Sequence, residues 1–467
     1  MKRFALAGFL CGAAVFSNFA GQLIEVPNNA SNRRLVEELN LDYGCKGSSR
    51  NVLHIHLDDQ SKLALSEHSS LMADLLSSGK VIDEDWEAQF REVQGQEDLG
   101  IYHTLEEMET AIKGFAQVHP QLAEYIVVGT SFEGRPIHGL VVSNKNSTKE
   151  KKSFLVMGTH HAREWISTEV PLHSIRDLLL NYGTDMEARK ILDTSTIVYV
   201  PMLNVDGGHY SRTESKMWRK NRNTNDSRWG EGVDNNRNYS YKWGVSGASS
   251  STWSDVYKGP EPMSEVENKA VKSLQEKYHF VASVSFHSYS ELVLWPWGYT
   301  TSIQAKDHNI FKKYGEKMAE IMDYEPMQSA DLYPAAGDSD DYLYADHDVL
   351  AYTIELGTRF VPSESQVPSI CVKGGKALRY LFLNARDPWS ERPDDETYRL
   401  AALIEDAVVR TREETLGVRS SKFKELASHT REELHQAMDH LNMGPVVRAR
   451  FFNELRPYQR LSEIDNQ

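Results

Sequence analysis

From about residue 99 onward, short apolar runs rich in Val and Ile alternate with stretches in which apolar residues recur every three to four positions. The runs "EYIVVGTS" and "PIHGLVVS" flank the turn "FEGR" and predict a hairpin, while "KSFLVMG", "TIVYVPMLN", "FVASVSFHS" and "VLAYTIEL" predict further strands. Helical spacing separates them, as in "HSIRDLLLNYG" and "NIFKKYGEKMAEIM". A capping box of Thr104 and Glu107 opens an earlier helix whose Leu105, Met108, Ile112 and Phe115 share a face. Strands of this kind spaced by helices predict an α/β fold, a mixed sheet covered on both faces whose ligands collect at the carboxyl ends of the strands.

On either side the pattern changes. Residues 21–95 carry weaker signals, the alternation of "NVLHIHL" and the helical "SSLMADLLSSG", and run out in the acidic "DEDWEAQFREVQGQED", which reads as an exposed connector. After Pro388 come two charged amphipathic helices, "DDETYRLAALIEDAVVRTREETLG" and "TREELHQAMDHLNMG". The second opens on a capping box of Thr430 and Glu433 and is expected to stop at Gly444-Pro445. This tail shows no chemistry; it reads as a hairpin that packs or binds a partner, with a disordered tail as the alternative. At the other end, Lys2 and Arg3 precede "FALAGFLCGAAVF" and the small Ala20, the pattern of a secretory signal. The apolar run is shorter than the roughly 20 residues a membrane span needs, so a short anchor is the weaker alternative.

Composition narrows the function classes. A chain of 467 residues that is 40% hydrophobic can bury a large core. With 52 Lys+Arg against 67 Asp+Glu, its formal charge of -15 repels phosphate backbones and anionic lipid, which excludes nucleic acid as a natural partner. Loss of Cys11 with the signal would leave Cys45 and Cys371, as one bridge or two free thiols, and no disulfide framework. Asn29, Asn146, Asn225 and Asn238 head glycosylation sequons, relevant only in the secretory pathway.

The candidate chemistry sits at strand ends. In "GTHHAREWIS" His161 and Glu164 form an H-x-x-E spacing just after "SFLVMG", so an imidazole and a carboxylate can meet one ion across a single turn. A surface ion pair would have the same spacing. His287 ends another apolar strand, as a third ligand or as a satisfied buried histidine. Glu355 ends "AYTIEL", where a carboxylate is costly unless it is paired or poised for proton transfer. Two imidazoles and two carboxylates at three strand ends point to zinc, with Glu355 as base for its water.

"HAREW", "LNVDGG", "MWRKNR", "GVDNNRNY", "SFHSYS", "AAGDSDDY" and "TIEL" follow one another in an order and spacing that resemble the zinc metallocarboxypeptidases of the pancreatic carboxypeptidase A/B type, over residues 99 to 387. The resemblance implies a central mixed eight-stranded sheet flanked by helices, one Zn2+ per chain and removal of single C-terminal residues from peptides. It divides the chain into a signal peptide (1–20), an inhibitory propeptide (21–95), a catalytic domain (96–387) and a helical C-terminal extension (388–467). It makes His161, Glu164 and His287 the zinc ligands, His160 a neighbour and no ligand, Glu355 the general base and Arg219 the stabiliser of the oxyanion. Asn236 and Arg237 match the clamp for the substrate's terminal carboxylate, Tyr333 the tyrosine that closes over it, and Arg163 an arginine of the outer subsites. Asp340 falls at the floor of the specificity pocket, where an aspartate goes with C-terminal Arg or Lys, and Gly298 leaves room at its wall. The implied partners are peptides or proteins with free C-termini and an activating protease cutting at Lys80 or Arg91. The sequon at Asn238, beside the clamp, is expected to stay unglycosylated.

Departures accompany the matches. "ELGTRFVPS" lacks the arginine and aspartate that usually follow the base, Lys216 stands where an arginine is common, and a frequent cysteine pair is missing. Asp338 replaces a usual glycine and could turn Asp340 away from the pocket. The chain nevertheless keeps its base and ligands, which favours an enzyme over a zinc-binding pseudoenzyme that only holds peptide C-termini. A deacylase of N-acyl amino acids would have no use for the clamp and prosegment.

Overall fold

The computed structural model describes residues 22–29, 31–32, 36, 42–43, 52–57, 80–83, 101–224, 232–408 and 416–465. The signal stretch, Cys45, "SSLMADLLSSG", Arg91 with most of the acidic connector, and the sequon at Asn225 lie outside the described residues. Near the N-terminus β1 (Gln22–Pro27), β2 (Asp42–Tyr43), β3 (Val52–Leu57) and β4 (Lys80–Asp83) form a four-stranded sheet in the order β2-β3-β1-β4. The alternation in "NVLHIHL" has its expected effect. Leu53 and Ile55 pair with Val26 and Ile24, and all four are buried.

The main body runs α1 (Leu105–Val118), β5 (Ala123–Thr130), β6 (Pro136–Val142), β7 (Lys152–Gly158), α2 (Ile166–Asn181), α3 (Met186–Thr194), β8 (Ser195–Val200) and α4 (Val205–Thr213). It continues with α5 (Val266–Tyr278), β9 (Ala282–His287), β10 (Leu292–Trp295), α6 (His308–Met322), β11 (Glu325–Gln328), α7 (Ser329–Leu332), α8 (Ser339–His347), β12 (Leu350–Glu355) and α9 (Val367–Asn384). Its eight strands make one mixed sheet, in the order β11-β10-β12-β9-β7-β8-β6-β5. The central run β12-β9-β7-β8 is parallel throughout and exposes no residue, as apolar strands covered on both faces require. The "FEGR" hairpin joins β5 to β6 antiparallel, with Gly134 supplying the positive φ (85°) of the turn.

Thr104 caps α1 as expected: its hydroxyl accepts from the Glu107 amide at 3.1 Å, and the Glu107 carboxylate accepts from the Thr104 amide at 2.8 Å. Helix α2 begins earlier than the spacing of "HSIRDLLLNYG" indicates and carries Pro171 inside it. The hydrogen bond lost at that proline is offset by packing, since Ile166, Ser167, Thr168 and Val170 are fully buried.

Beyond Pro388 lie α10 (Glu396–Val408), α11 (Leu416–Leu426), α12 (Arg431–His440) and α13 (Pro445–Asp465). Leu400, Ile404, Leu434 and Leu455 join the same continuous core as the sheet, so these helices pack. Helix α12 stops before Gly444, where Asn442 turns left-handed (φ 49°), and Pro445 opens α13 instead. Among the described residues no helix is long and apolar enough to cross a membrane.

Candidate metal centre and active site

Three strand ends deliver the site. A Cβ at Gly158, the last residue of β7, would lie 2.2 Å from the Ser167 carbonyl oxygen, so only glycine lets α2 fold back over the strand end. Thr159 follows at φ 53°, held by the Ser167 hydroxyl at its amide (3.0 Å) and the Thr168 hydroxyl at its own (2.7 Å). The turn then presents His161 and Glu164. Strand β9 ends in His287, in register with Glu355 at the end of parallel β12.

His161 Nδ1 lies 2.7 Å from Glu164 Oε1, His287 Nδ1 2.9 Å from Glu164 Oε2, and the two Nδ1 atoms are 3.1 Å apart. All three residues are buried. Two imidazole nitrogens and a carboxylate facing one point are the donor set zinc takes, and the residues fit the ion. Burial alone would push the Glu164 carboxyl up, but the two imidazoles outweigh it and hold the group below its ordinary value. Asp234 stands behind His161, its Oδ1 3.1 Å from Nε2, which fixes the ring with Nδ1 toward the common point. Burial opposes the charge of Asp234 too, yet Arg219, His161 and Arg237 hold its carboxyl well below the ordinary value.

Arg219 Nε and Nη2 donate to Asp234 Oδ2 at 3.2 and 2.9 Å, and Nη1 reaches within 3.9 Å of Glu164 Oε1. The guanidinium is thereby fixed against the ligand turn. Burial, then the Glu164 charge, push the Glu355 carboxyl well above its ordinary value, with Arg219 and Arg237 offsetting part of the shift.

The Asn236 amide donates to Asp234 Oδ1 (2.9 Å) while its side-chain oxygen accepts from the Ser339 amide (3.0 Å). Arg237 donates from Nε to the Gly247 carbonyl (2.7 Å) and from Nη1 to the Asn236 carbonyl (2.8 Å), and its guanidinium lies 6.0 Å from the Tyr333 ring centre. Burial pushes the Tyr333 hydroxyl up to about 12. Arg163 is buried, donates to Asp255 at 3.2 Å and stacks 4.5 Å over the Phe360 ring.

Asp340 is buried, accepts from the Ser339 hydroxyl at 3.4 Å and faces Thr353, which stands two residues before Glu355 on β12 and so on the same face. Its carboxyl is pushed well above its ordinary value by burial and by Asp338. His160 is no ligand candidate: Nε2 meets the Tyr239 hydroxyl and Nδ1 the Ser285 hydroxyl, each at 2.9 Å. The Asn238 side chain donates to the Lys258 and Glu261 carbonyls and to Ser264, is fully buried, and offers nothing to a glycosyltransferase. Cys371 is buried and has no disulfide partner among the described residues, which do not include Cys45. Sequence reasoning missed Asp234, whose one available signal was its place at the head of "DNNRNY".

The pattern of the zinc carboxypeptidase family matches residues 108–374. The chain belongs to that family. It is 34% identical to carboxypeptidase A2 of Rattus norvegicus over 265 residues, covering 55% of this chain and 62% of the relative. To carboxypeptidase B of Astacus astacus it is 34% identical over 270 residues, covering 56% of this chain and 87% of the relative. The matches span about 60% of the length of the first curated relatives. The crystal structure of thrombin activatable fibrinolysis inhibitor superposes with a TM-score of 0.66 at 26% identity, over 78% of this chain and 98% of that one. A-type and B-type relatives match equally well, so overall identity does not choose between apolar and basic terminal residues.

Proposed function

We propose that this chain is a secreted zinc metallocarboxypeptidase, made as a zymogen, that hydrolyses the C-terminal peptide bond of peptides and proteins and prefers C-terminal Arg or Lys. The observation that carries the reading is the convergence of His161, Glu164 and His287 at one point, with Glu355 in register beside His287. Zinc held there would polarise the scissile carbonyl and acidify a water. Glu355, in register beside His287, would take that water's proton and pass it to the leaving amine. Arg219, held by Asp234, offers a fixed charge to the oxyanion of the tetrahedral intermediate. Asn236 and Arg237 bind the substrate's terminal carboxylate, Tyr333 closes over it, and Arg163 lies toward the residues upstream. Asp340 receives the terminal side chain, where a cation would relieve a buried carboxylate and an apolar group would not.

Peptides that differ only in their last residue, incubated with trypsin-trimmed, zinc-loaded protein, test this. Release of single C-terminal residues, with Arg and Lys ahead of Phe and Leu, is the expected result. A protein that releases Phe faster than Arg keeps the carboxypeptidase reading and loses the basic preference; one that releases nothing loses both.

A further inference from the structure

Three acidic side chains lie close together where α8 begins, and they are not equivalent. Both Asp341 oxygens are occupied, one by the Gly298 amide at 2.8 Å and the other by the Tyr299 amide at 3.0 Å, so Asp341 ties the loop after β10 in place. Asp340 is turned to Ser339 and Thr353. Asp338 caps α8 through one oxygen only, Oδ1 accepting from the Asp341 amide at 2.8 Å. Its other oxygen, Oδ2, is buried and has no hydrogen-bond partner among the described residues, on a side chain only 6% exposed. An unpartnered carboxylate oxygen in that position is costly unless a ligand completes it.

The direction of Oδ2 is fixed by Gly298: a Cβ there would sit 2.1 Å from it and 3.1 Å from the Ala335 carbonyl. The room that the glycine leaves at the pocket wall is therefore faced by a carboxylate oxygen. We infer that Asp338 is a second specificity carboxylate, acting beside Asp340 on the terminal side chain of the substrate, and that the pair selects a guanidinium over an ammonium. This rests on the carboxypeptidase reading above. A guanidinium carries five donors in a planar fork and can bridge two carboxylates, whereas an ammonium is a compact charge that satisfies one well. Burial also pushes the Asp338 carboxyl up to about 6, a cost that a cation beside Oδ2 would relieve.

The test uses Asp338→Asn, which keeps an oxygen for the helix cap and removes the charge. Zinc-loaded, trimmed parent and variant are titrated calorimetrically with L-arginine, L-lysine and L-phenylalanine, and assayed on peptides ending in the same three residues. In the variant, arginine should lose about tenfold in affinity and in kcat/KM relative to phenylalanine, and the arginine-to-lysine ratio should fall toward one. An arginine-to-lysine ratio unchanged by the substitution overturns the inference, as does an equal loss for all three residues, which a damaged cap alone would produce. A parent that binds L-arginine selectively but hydrolyses no peptide loses the carboxypeptidase reading and keeps the pocket. A parent and variant that are both active with identical side-chain ratios keep the carboxypeptidase reading and remove Asp338 from the pocket.

Discussion

Glu355 and His161 stand at the same site, yet their replacement should have different consequences. Glu355→Gln removes a proton carrier that is not among the three converging donors, so it should retain a full equivalent of zinc while kcat falls about a thousandfold. His161→Ala removes a donor and should lose both metal and activity; zinc content by atomic absorption, beside kcat, separates the two. Gly247 gives a subtler case. Its φ is +58°, its carbonyl accepts from Arg237 Nε, and a Cβ would lie 1.7 Å from the Pro334 carbonyl oxygen, next to Tyr333. Gly247→Ala should cost about 1 kcal/mol or more of stability and shift both Arg237 and Tyr333, raising KM more than it lowers kcat. His287 and Glu355 were legible because each ends an apolar run, where a polar side chain demands a reason, and His161 and Glu164 because their H-x-x-E spacing follows such a run. Asp234 was not legible, because its partner His161 lies 73 residues away and neither spacing nor periodicity reaches that far. The free oxygen of Asp338 was equally hidden, since it exists only once Gly298 and the start of α8 come together.

Elements were legible where one signal dominated and obscure where two competed. The central strands stood out because apolar residues fill both faces, whereas β10 and β11 are short and β11 opens on Glu325-Pro326, which reads as a turn. Helix α9 contains Gly374-Gly375, ordinarily a helix breaker, but a Cβ at Gly374 would meet Val170 Cγ1 at 2.5 Å, so the glycine is what lets α9 lie against α2. In the tail α10 and α12 were legible as helices, but α11, α13 and the docking of all four were not. Helix α10 inserts Glu405 into the core, where Oε1 accepts from Trp297 Nε1 (3.1 Å) and the Lys306 amide (2.9 Å), on the loop that carries Gly298. Burial pushes this carboxyl up to about 7, with Lys306 offsetting part of the shift. A carboxyl raised in the fold above its unfolded value, about 4.3, contributes stability that is complete below that value and lost as pH rises through about 7. Between pH 5 and pH 8 the parent's unfolding midpoint should therefore fall further than that of Glu405→Gln, in which the amide oxygen can still accept both hydrogen bonds. Thermal melts across that window check it, and parallel curves for the two proteins would show that the Glu405 carboxyl is not raised in the fold and titrates there as it does in the unfolded chain.

At the scale of the whole chain, the proposed zymogen assigns inhibition to the segment that carries the N-terminal sheet. β1 to β4 close a sheet of their own, separate from the eight-stranded one, and the acidic stretch between the two bodies contains the basic residue Arg91. Lys80, the other candidate for cleavage, is the first residue of β4 and pairs with Glu25 on β1. A protease needs its target segment free of ladder pairing, so Lys80 is shielded by its own sheet and Arg91 becomes the expected point of cleavage. Full-length protein loaded with zinc should then be nearly inert. Brief trypsin treatment should raise kcat/KM on an Arg-terminated peptide at least tenfold, and the active product should begin at Glu92 by N-terminal sequencing. An Arg91→Gln chain should resist activation over the same period while unfolding at the same temperature as the parent. If the untreated parent already hydrolyses the peptide at the trimmed rate, residues 21–95 do not inhibit and must be assigned another purpose. If activation proceeds equally well in Arg91→Gln, the inhibitory segment stands but is released at a different bond.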